Sequence, residues 1–210
     1  MIIATASSVY EYEDKFDEDP KVLFDKTGVR RVIEGEKIRI VAFVDNSIFV
    51  DSASGQHLQT GIDDRIDSLC LVKEEPFTLL IGTTPPYLYR YNEKDVSAKR
   101  IEEFDNLEVR GEWFTPWGGP AAVRSLASTK DGWIYADIHV GSIMRSNDYG
   151  QNWEPVNPTL HKDVHEVSTS PASKTNVYAN TFLSVYISED RGDNWKHKSN
   201  KKSRQRQHQK

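Results

Sequence analysis

Two aspartates in this sequence stand in the same short pattern and could carry chemistry. Asp148 lies in SNDYGQNW and Asp190 in SEDRGDNW, and both stretches follow the form S-x-D-x-G-x-x-W, with the aspartates 42 residues apart. Carboxylates at such positions can act as general acids or bases, or they can bind a metal ion. A calcium site needs about six to eight oxygens from a dense acidic loop. The shared pattern contains a single acid.

The residue types in this pattern are also those that close a tight turn. Ser and Asp side-chain oxygens accept hydrogen bonds from backbone N–H groups, Gly permits a positive φ, and Trp covers the turn as a large apolar group. Because these properties account for every position, we predict a structural role without metal or cofactor, and we leave the catalytic residues unassigned. The residues with this role are Ser146, Asp148, Gly150 and Trp153 in the first copy and Ser188, Asp190, Gly192 and Trp195 in the second.

Three other polar residues begin β-rich runs and could form a ligand site. Asp67 precedes SLCLV, Arg124 precedes SLAS, and His165 begins HEVSTS. If these runs are equivalent strands of a repeat, an acid, a guanidinium and an imidazole point toward one opening, where they could bind a ligand. Alternatively, they are polar residues of a wet opening and have no further role.

The stretch FDNLEVRGEWFTPWGG, residues 104–119, is another candidate region. It places Trp113 and Trp117 among Gly and Pro, where a rigid aromatic loop could stack on a sugar ring or anchor a protein partner. The alternative is that these aromatic side chains pack beneath the loop. His139, in the turn of ADIHVG, is a further candidate for the same face.

The two S-x-D-x-G-x-x-W stretches belong to a longer repeat. Each follows two short β-rich runs, and related runs precede Glu93, Ala53 and Asp14. The positions equivalent to the aspartate of the pattern are 14, 53, 93, 148 and 190, which are 39, 40, 55 and 42 residues apart. The stretch 104–119 accounts for the longest interval. A period of about 40 to 45 residues with several short strands per unit is typical of a β-propeller blade.

We therefore predict an all-β fold, a β-propeller with about four to five four-stranded blades over residues 1–195. The run at residues 2–5 is predicted to be the second strand of its blade. With no strand expected after Trp195, the propeller would be incomplete, with open blade edges that could self-associate. Residues 196–210 hold seven Lys or Arg and no acid, which predicts a basic disordered tail.

Composition limits the partners and the location that we expect. Residues 1–195 carry 20 basic and 32 acidic groups, so nucleic-acid binding is not predicted except weakly through the tail. No apolar run approaches the ~20 residues of a membrane span, and the amino terminus lacks the basic start of a signal peptide, which predicts a cytoplasmic protein. The single cysteine, Cys70, lies in an apolar run and is expected in the core.

SNDYGQNW and SEDRGDNW resemble the Asp-box, or BNR repeat, of sialidases, sortilin-type receptors and photosystem assembly factors. The resemblance covers about residues 29–195 and is greatest to uncharacterised prokaryotic BNR-like proteins labelled glycosyl hydrolases. It implies a β-propeller, since Asp-boxes are specific for that fold and unspecific for function.

The sialidases among these proteins use an arginine triad, a tyrosine nucleophile with its glutamate, and an aspartate acid/base. Their first arginine lies in an R-I-P-like motif, whereas the comparable stretch here, VRRVIEG at residues 29–35, has no proline. No catalytic residue is therefore assigned. Because the motif that an enzyme would need is missing, we expect a non-catalytic binding or assembly scaffold for a protein or glycan partner, and a sialidase-like or degenerate glycoside hydrolase is the alternative.

Overall fold

A computed structural model describes residues 2–12, 19–52 and 55–198 of the chain, which divides into two compact units, Met1–Arg100 and Ile101–Lys210. Two of the repeat positions equivalent to the aspartate of the pattern, Asp14 and Ala53, lie outside the described residues. The predicted tail from residue 199 onward also lies outside them. The repeat can therefore be tested at the remaining positions.

Three antiparallel sheets make up the described part of the first unit, and within each sheet the strands neighbour one another in chain order. The first sheet contains β1 (Ile2–Ala4), β2 (Val9–Glu11) and β3 (Lys21–Phe24). The second contains β4 (Val29–Glu34), β5 (Arg39–Phe43), β6 (Ile48–Asp51) and β7 (Gln56–Leu58). The third contains β8 (Arg65–Lys73), β9 (Thr78–Thr84), β10 (Leu88–Asn92) and β11 (Lys99–Arg100).

The second unit begins with two short helical segments and continues with two four-stranded antiparallel sheets. The helical segments are α1 (Glu102–Asp105) and a 3₁₀ turn (Glu108–Glu112). One sheet contains β12 (Val123–Ser128), β13 (Ile134–Ile138), β14 (Ser142–Ser146) and β15 (Glu154–Pro155). The other contains β16 (Val164–Ser170), β17 (Ser173–Thr181), β18 (Val185–Ser188) and β19 (Lys196–Lys198).

These sheets confirm the predicted repeat. Four of the five described sheets have four strands in up-and-down order, and the positions Glu93, Asp148 and Asp190 all lie between the third and fourth strands of their sheets. The first sheet has three described strands, with β1 at the predicted place of residues 2–5. The all-β propeller architecture is thus confirmed, and the incompleteness of the propeller stays a prediction.

The second strands β5, β9 and β13 contain consecutive buried residues, so both faces of these strands are shielded from solvent. Leu79, Leu80 and Ile81 in β9 are all fully buried, and so are Ile134 and Tyr135 in β13. Such strands appear in the sequence as continuous apolar runs rather than as alternating patterns. Cys70 in β8 is buried as expected.

Within each unit, the first strands of successive sheets pack side by side. In the first unit, Arg30 Nη1 donates to the Ile66 carbonyl oxygen at 2.8 Å. In the second, Thr169 Oγ1 donates to the Ser128 carbonyl oxygen at 2.7 Å. These contacts are those expected of the innermost strands of neighbouring blades, and Asp67, Arg124 and His165 lie on such strands.

The carboxyl-terminal part of the described chain differs from the expectation at one point. Lys196–Lys198, assigned by the sequence to the basic tail, form β19 and pair with β18 as the edge of the last sheet. An edge strand needs only backbone pairing on one side, and charged side chains are common on such strands. A charge run is therefore compatible with a strand at this position. Across the described ranges, no helix has the length and apolar character needed to cross a membrane.

Candidate binding face of the second unit

The first S-x-D-x-G-x-x-W turn holds its own carboxylate. Ser146 Oγ donates to Asp148 Oδ1 at 2.8 Å and accepts from the Gly150 amide at 2.8 Å. The Asn152 backbone and side-chain amides donate to the two Asp148 oxygens at 2.9 and 2.7 Å. Gly150 has φ of 83°, and Trp153 Nε1 donates to the Gly150 carbonyl at 3.1 Å, which closes the turn.

The second turn repeats these contacts. Ser188 Oγ donates to Asp190 Oδ1 at 2.8 Å and accepts from the Gly192 amide at 2.7 Å. The two amides of Asn194 donate to the Asp190 oxygens at 2.8 and 2.7 Å. The tryptophans differ: Trp153 is buried, whereas Trp195 is half-buried and its buried Nε1 has no hydrogen-bond partner among the described residues.

Both carboxylates are held in the ionised form by their turns. Burial works against ionisation of Asp148, but hydrogen bonds from Asn152, Ser146 and Gln151 outweigh it and hold the pKa of Asp148 at about 2. The Asn194 side-chain amide is the largest cause of the lowered pKa of Asp190. Oxygens engaged in this way are poorly placed to transfer protons to a substrate, which supports the structural role predicted for these residues.

A β-bulge interrupts the first strand of every four-stranded sheet described, near the start of that strand. The residues at the bulges are Arg30, Asp67, Arg124 and His165. A bulge redirects a side chain away from the regular ladder and often does so beside functional sites. Three of these residues are the candidates selected from the sequence. Arg30 was missed as a candidate. The signal that could have identified it is its place near the start of VRRVIEG, which forms the first strand of its sheet, as Arg124 and His165 are placed in theirs.

Two of the bulge residues belong to the first unit and are held by neighbouring side chains and backbone. Arg65 Nε lies 2.9 Å from Asp67 Oδ1, and Thr84 Oγ1 donates to the other Asp67 oxygen. Arg30 donates to a backbone carbonyl of the adjacent sheet, as described above. Arg124 and His165 belong to the second unit.

In the second unit, five residues form a polar and aromatic cluster that we call the histidine face: Trp117, Arg124, His139, Asp163 and His165. His165 Nε2 lies 3.3 Å from Asp163 Oδ1, and His139 Nε2 lies 3.8 Å from the same oxygen. The two imidazole rings are 6.4 Å apart and nearly perpendicular. Both imidazoles therefore lie within ion-pairing distance of one carboxylate oxygen, which has no hydrogen-bond partner among the described residues.

Burial and the Arg124 charge set the protonation of the face. Asp137 in β13 is fully buried; its Oδ2 accepts from Ser125 Oγ at 3.2 Å, and its Oδ1 has no hydrogen-bond partner among the described residues. Burial raises the pKa of Asp137 well above its ordinary value, and Arg124 offsets only part of this. Burial also lowers the pKa of His139, and Arg124 lowers it further. The neutral forms of Asp137 and His139 are therefore favoured beside a cationic Arg124.

The structure separates the two tryptophans of the 104–119 stretch. Trp117 is 73% exposed and its ring lies over His139, with the centroids 5.1 Å apart. Trp113 is half-buried and packs on the buried Phe104, with the centroids 5.5 Å apart. The aromatic-loop interpretation thus fits Trp117, which joins Arg124, His139 and His165, and the packing interpretation fits Trp113.

Asp137 and Asp163 are the members of this region that the sequence reasoning missed. Asp137 interrupts the otherwise apolar strand IYADI, and an acid in a fully buried strand is a signal that could have been used. Over the described ranges, no group of three or more His, Cys, Asp or Glu side chains could hold a metal ion. What the face offers is a set of hydrogen-bond donors and acceptors beside an exposed indole.

Comparisons with known proteins identify the fold. No protein-family model matches the sequence, and no curated protein matches it. YCF48 from Cyanidioschyzon merolae, a β-propeller protein, is similar in structure with a TM-score of 0.60 and 12% identity over 90% of this chain and 61% of its own. The computationally designed Ika8 protein is similar with a TM-score of 0.61 and 12% identity over 91% of this chain and 55% of its own. The chain thus spans less than two thirds of either protein, and the likeness establishes the β-propeller fold.

Proposed function

We propose that the protein is a non-catalytic β-propeller scaffold that binds another protein through the histidine face. The observation that carries this proposal is Trp117, which is 73% exposed and lies against His139 at the edge of a charged cluster. Exposing an indole to water is costly, and Trp and Arg are the side chains that most often supply the binding energy of protein interfaces.

The neighbouring residues fit this role. Phe114, in the same loop, is 55% exposed and enlarges the apolar part of the surface. Arg124 and the Asp163–His165 pair provide charged and hydrogen-bonding groups around it. An apolar centre with a polar surround is the usual anatomy of a protein-binding surface.

The contacts of the Asp-box-like turns favour binding over catalysis. Asp148 and Asp190 accept hydrogen bonds from their own turns, so the repeated acids serve the fold. The Asp-box resemblance extends to sialidases, but the sequence carries over none of their catalytic residues. A glycoside hydrolase therefore remains the alternative function, and no catalytic residue is assigned to it.

Photo-crosslinking in cells tests the proposal. The crosslinking amino acid p-benzoylphenylalanine is placed at Trp117 and, as a matched control, at Tyr149, which is 39% exposed and lies beside Gly132, at the end of β13 away from His139. We expect a discrete crosslinked protein from position 117 and none from position 149. His165→Ala, at a side chain that is 38% exposed, is expected to reduce that product about tenfold, the loss typical of an interface residue.

Three outcomes distinguish the possible partners. A product with twice the mass of the chain identifies a second copy, as open blade edges would allow. A different protein identifies a heterologous partner. If no protein is crosslinked, and an immobilised glycan is instead bound in a way that Trp117→Ala abolishes, the protein-scaffold proposal is wrong and the glycan-binding alternative gains support.

A further inference from the structure

A cleft of about 240 Å³ lies in the second unit, and none of the five residues of the histidine face lines it. Its walls come from the 3₁₀ turn, the β13–β14 hairpin and the loop after β15, and they include Val109, Trp113, Val140, Met144, Pro158 and Leu160. An apolar cavity of about 150 Å³ is already large enough to bind benzene. The volume and lining of this cleft therefore suit an aromatic group of one or two rings.

The 104–119 stretch, which interrupts the repeat period, builds one wall of this cleft. Trp113 is fixed between Phe104 and the β13–β14 hairpin, where a Cβ on Gly141 would come within 2.7 Å of Trp113 Cδ1. Only glycine allows the indole to approach the hairpin so closely. The wall is thus a feature of this particular sequence and is not required by the blade repeat.

The hairpin that forms the opposite wall holds two residues in unfavourable backbone conformations. Val140 has φ of 52° and Ser142 has φ of 67°. A β-branched residue at positive φ is strained, and such strain is concentrated at functional sites, where surrounding structure maintains it. Both residues line the cleft.

The uncommitted polar groups of the walls are donors. Trp113 Nε1 and Ser142 Oγ are buried and have no hydrogen-bond partner among the described residues. Lys162, at the rim, is paired with Glu112 at 2.6 Å, and both side chains are more than half exposed. An indole N–H can only donate a hydrogen bond, and a hydroxyl can donate one. These two groups and the ammonium group of Lys162 would therefore be matched by a ligand that carries an oxygen acceptor.

We propose that this cleft binds a small aromatic carboxylate, with its rings against Trp113 and its carboxylate at Lys162. The ligand carboxylate takes the place of Glu112 beside the ammonium group. Ser142 Oγ and Trp113 Nε1 are enclosed in the unliganded fold, so the hydroxyl turns about its Cα–Cβ bond, or the indole tilts, to donate to the ligand. The proposal does not depend on the scaffold role, because the cleft is lined by other residues than the histidine face.

Calorimetric titration of the full chain with 2-naphthoate tests the proposal, with naphthalene-2-carboxamide as the neutral probe of the same shape. We expect saturable binding of the carboxylate at one site and about tenfold weaker binding of the amide, since a hydrogen-bonded ion pair contributes about one order of magnitude. Quenching of tryptophan fluorescence provides a second readout because Trp113 lines the cleft.

Two substitutions at the rim have opposite expected effects. Lys162→Gln should weaken 2-naphthoate binding about tenfold, whereas Glu112→Gln should strengthen it about threefold because it removes the competing carboxylate. Lys174→Gln, at another exposed lysine of the same unit, is the control and should leave the affinity unchanged. Both rim side chains are more than half exposed, so these variants are expected to fold normally.

The proposal fails under any of three results. One is the absence of saturable 2-naphthoate binding at millimolar concentration. Another is equal affinity for the carboxylate and the amide, which would remove the role of Lys162. The third is a change of the same sign in the Lys162→Gln and Glu112→Gln variants, which would indicate a general electrostatic effect.

Discussion

Replacing Asp148 by asparagine tests whether the acid of the repeated turn serves stability. The carboxylate accepts four short hydrogen bonds within its turn, from Ser146 Oγ, the Gln151 and Asn152 backbone amides and Asn152 Nδ2. The asparagine amide would present its NH₂ group to one of these donors, so at least one contact is lost together with the charge. Hydrogen bonds to a charged group contribute about 1.5–3 kcal/mol.

The pKa of Asp148 gives a second value for the same contribution. A fall from 3.8 to about 2 corresponds to about 2.4 kcal/mol at full strength and to roughly 1–2 kcal/mol once screening of this partly exposed carboxylate is included. Both routes predict that Asp148→Asn lowers the free energy of unfolding by about 2 kcal/mol at pH 7. The folded-state pKa is the lower one, so this stability is complete above about pH 4 and is lost as the pH falls toward about 2.

Urea unfolding followed by tryptophan fluorescence measures this change in the right part of the chain. All five tryptophans lie between residues 113 and 195, within the second unit, so the signal reports on that unit alone. Asn147→Ala, at the exposed neighbouring residue, serves as the control and should shift the unfolding free energy by less than about 0.5 kcal/mol. The wild-type and Asp148→Asn curves should converge between pH 4 and pH 2.

An unchanged urea midpoint for Asp148→Asn at pH 7 would refute this reasoning. A difference between the two proteins that persists undiminished at pH 2 would also contradict it, because the protonated wild-type carboxyl should then resemble the amide. Loss of a ligand from a variant of unchanged stability would instead point to a functional role of the acid.

Two further changes test the packing of the turns. Trp153→Ala removes a buried indole that meets Phe104 edge-on with the centroids 5.2 Å apart, and it should cost about 3–5 kcal/mol in urea unfolding, while Trp195→Ala, at a half-buried ring, should cost less. Equal losses would contradict the difference in burial. Gly192→Ala places a Cβ 2.8 Å from Val156 Cγ1 at φ of 97° and should destabilise the unit by about 1–3 kcal/mol. Gly111→Ala, where a Cβ meets open space, should be neutral or slightly stabilising, and a similar loss at both glycines would speak against the strain argument.

The blade repeat was predictable because each of its signals is local. The turn residues and the continuous apolar runs of the second strands can be read within a few positions of one another, and their spacing gives the period. The same locality identified the first strands and, with them, the positions of Asp67, Arg124 and His165. Their bulges could not be read, because a bulge is defined by the register with a partner strand.

The composition of the histidine face depended on contacts between strands that are far apart in sequence. Asp163 meets His139 through the packing of β16 beside β12 and β13, which no local pattern encodes. The orientation of the tryptophans was similarly hidden, since the 104–119 stretch has no periodicity that separates an inward from an outward side. Hydropathy alone made Trp113 and Trp117 equivalent, whereas the absence of a Cβ on Gly141 is what lets Trp113 pack against the β13–β14 hairpin.

The recurring bulge gives each of the four described four-stranded sheets one interchangeable position. Two arginines, an aspartate and a histidine occupy these positions, yet their strands keep the same ladder on either side of the irregularity. A side chain that is excluded from the ladder can change without altering the hydrogen bonds that hold the sheet together. Binding preference in such a protein can therefore diverge quickly, or be redesigned residue by residue, while the scaffold stays the same.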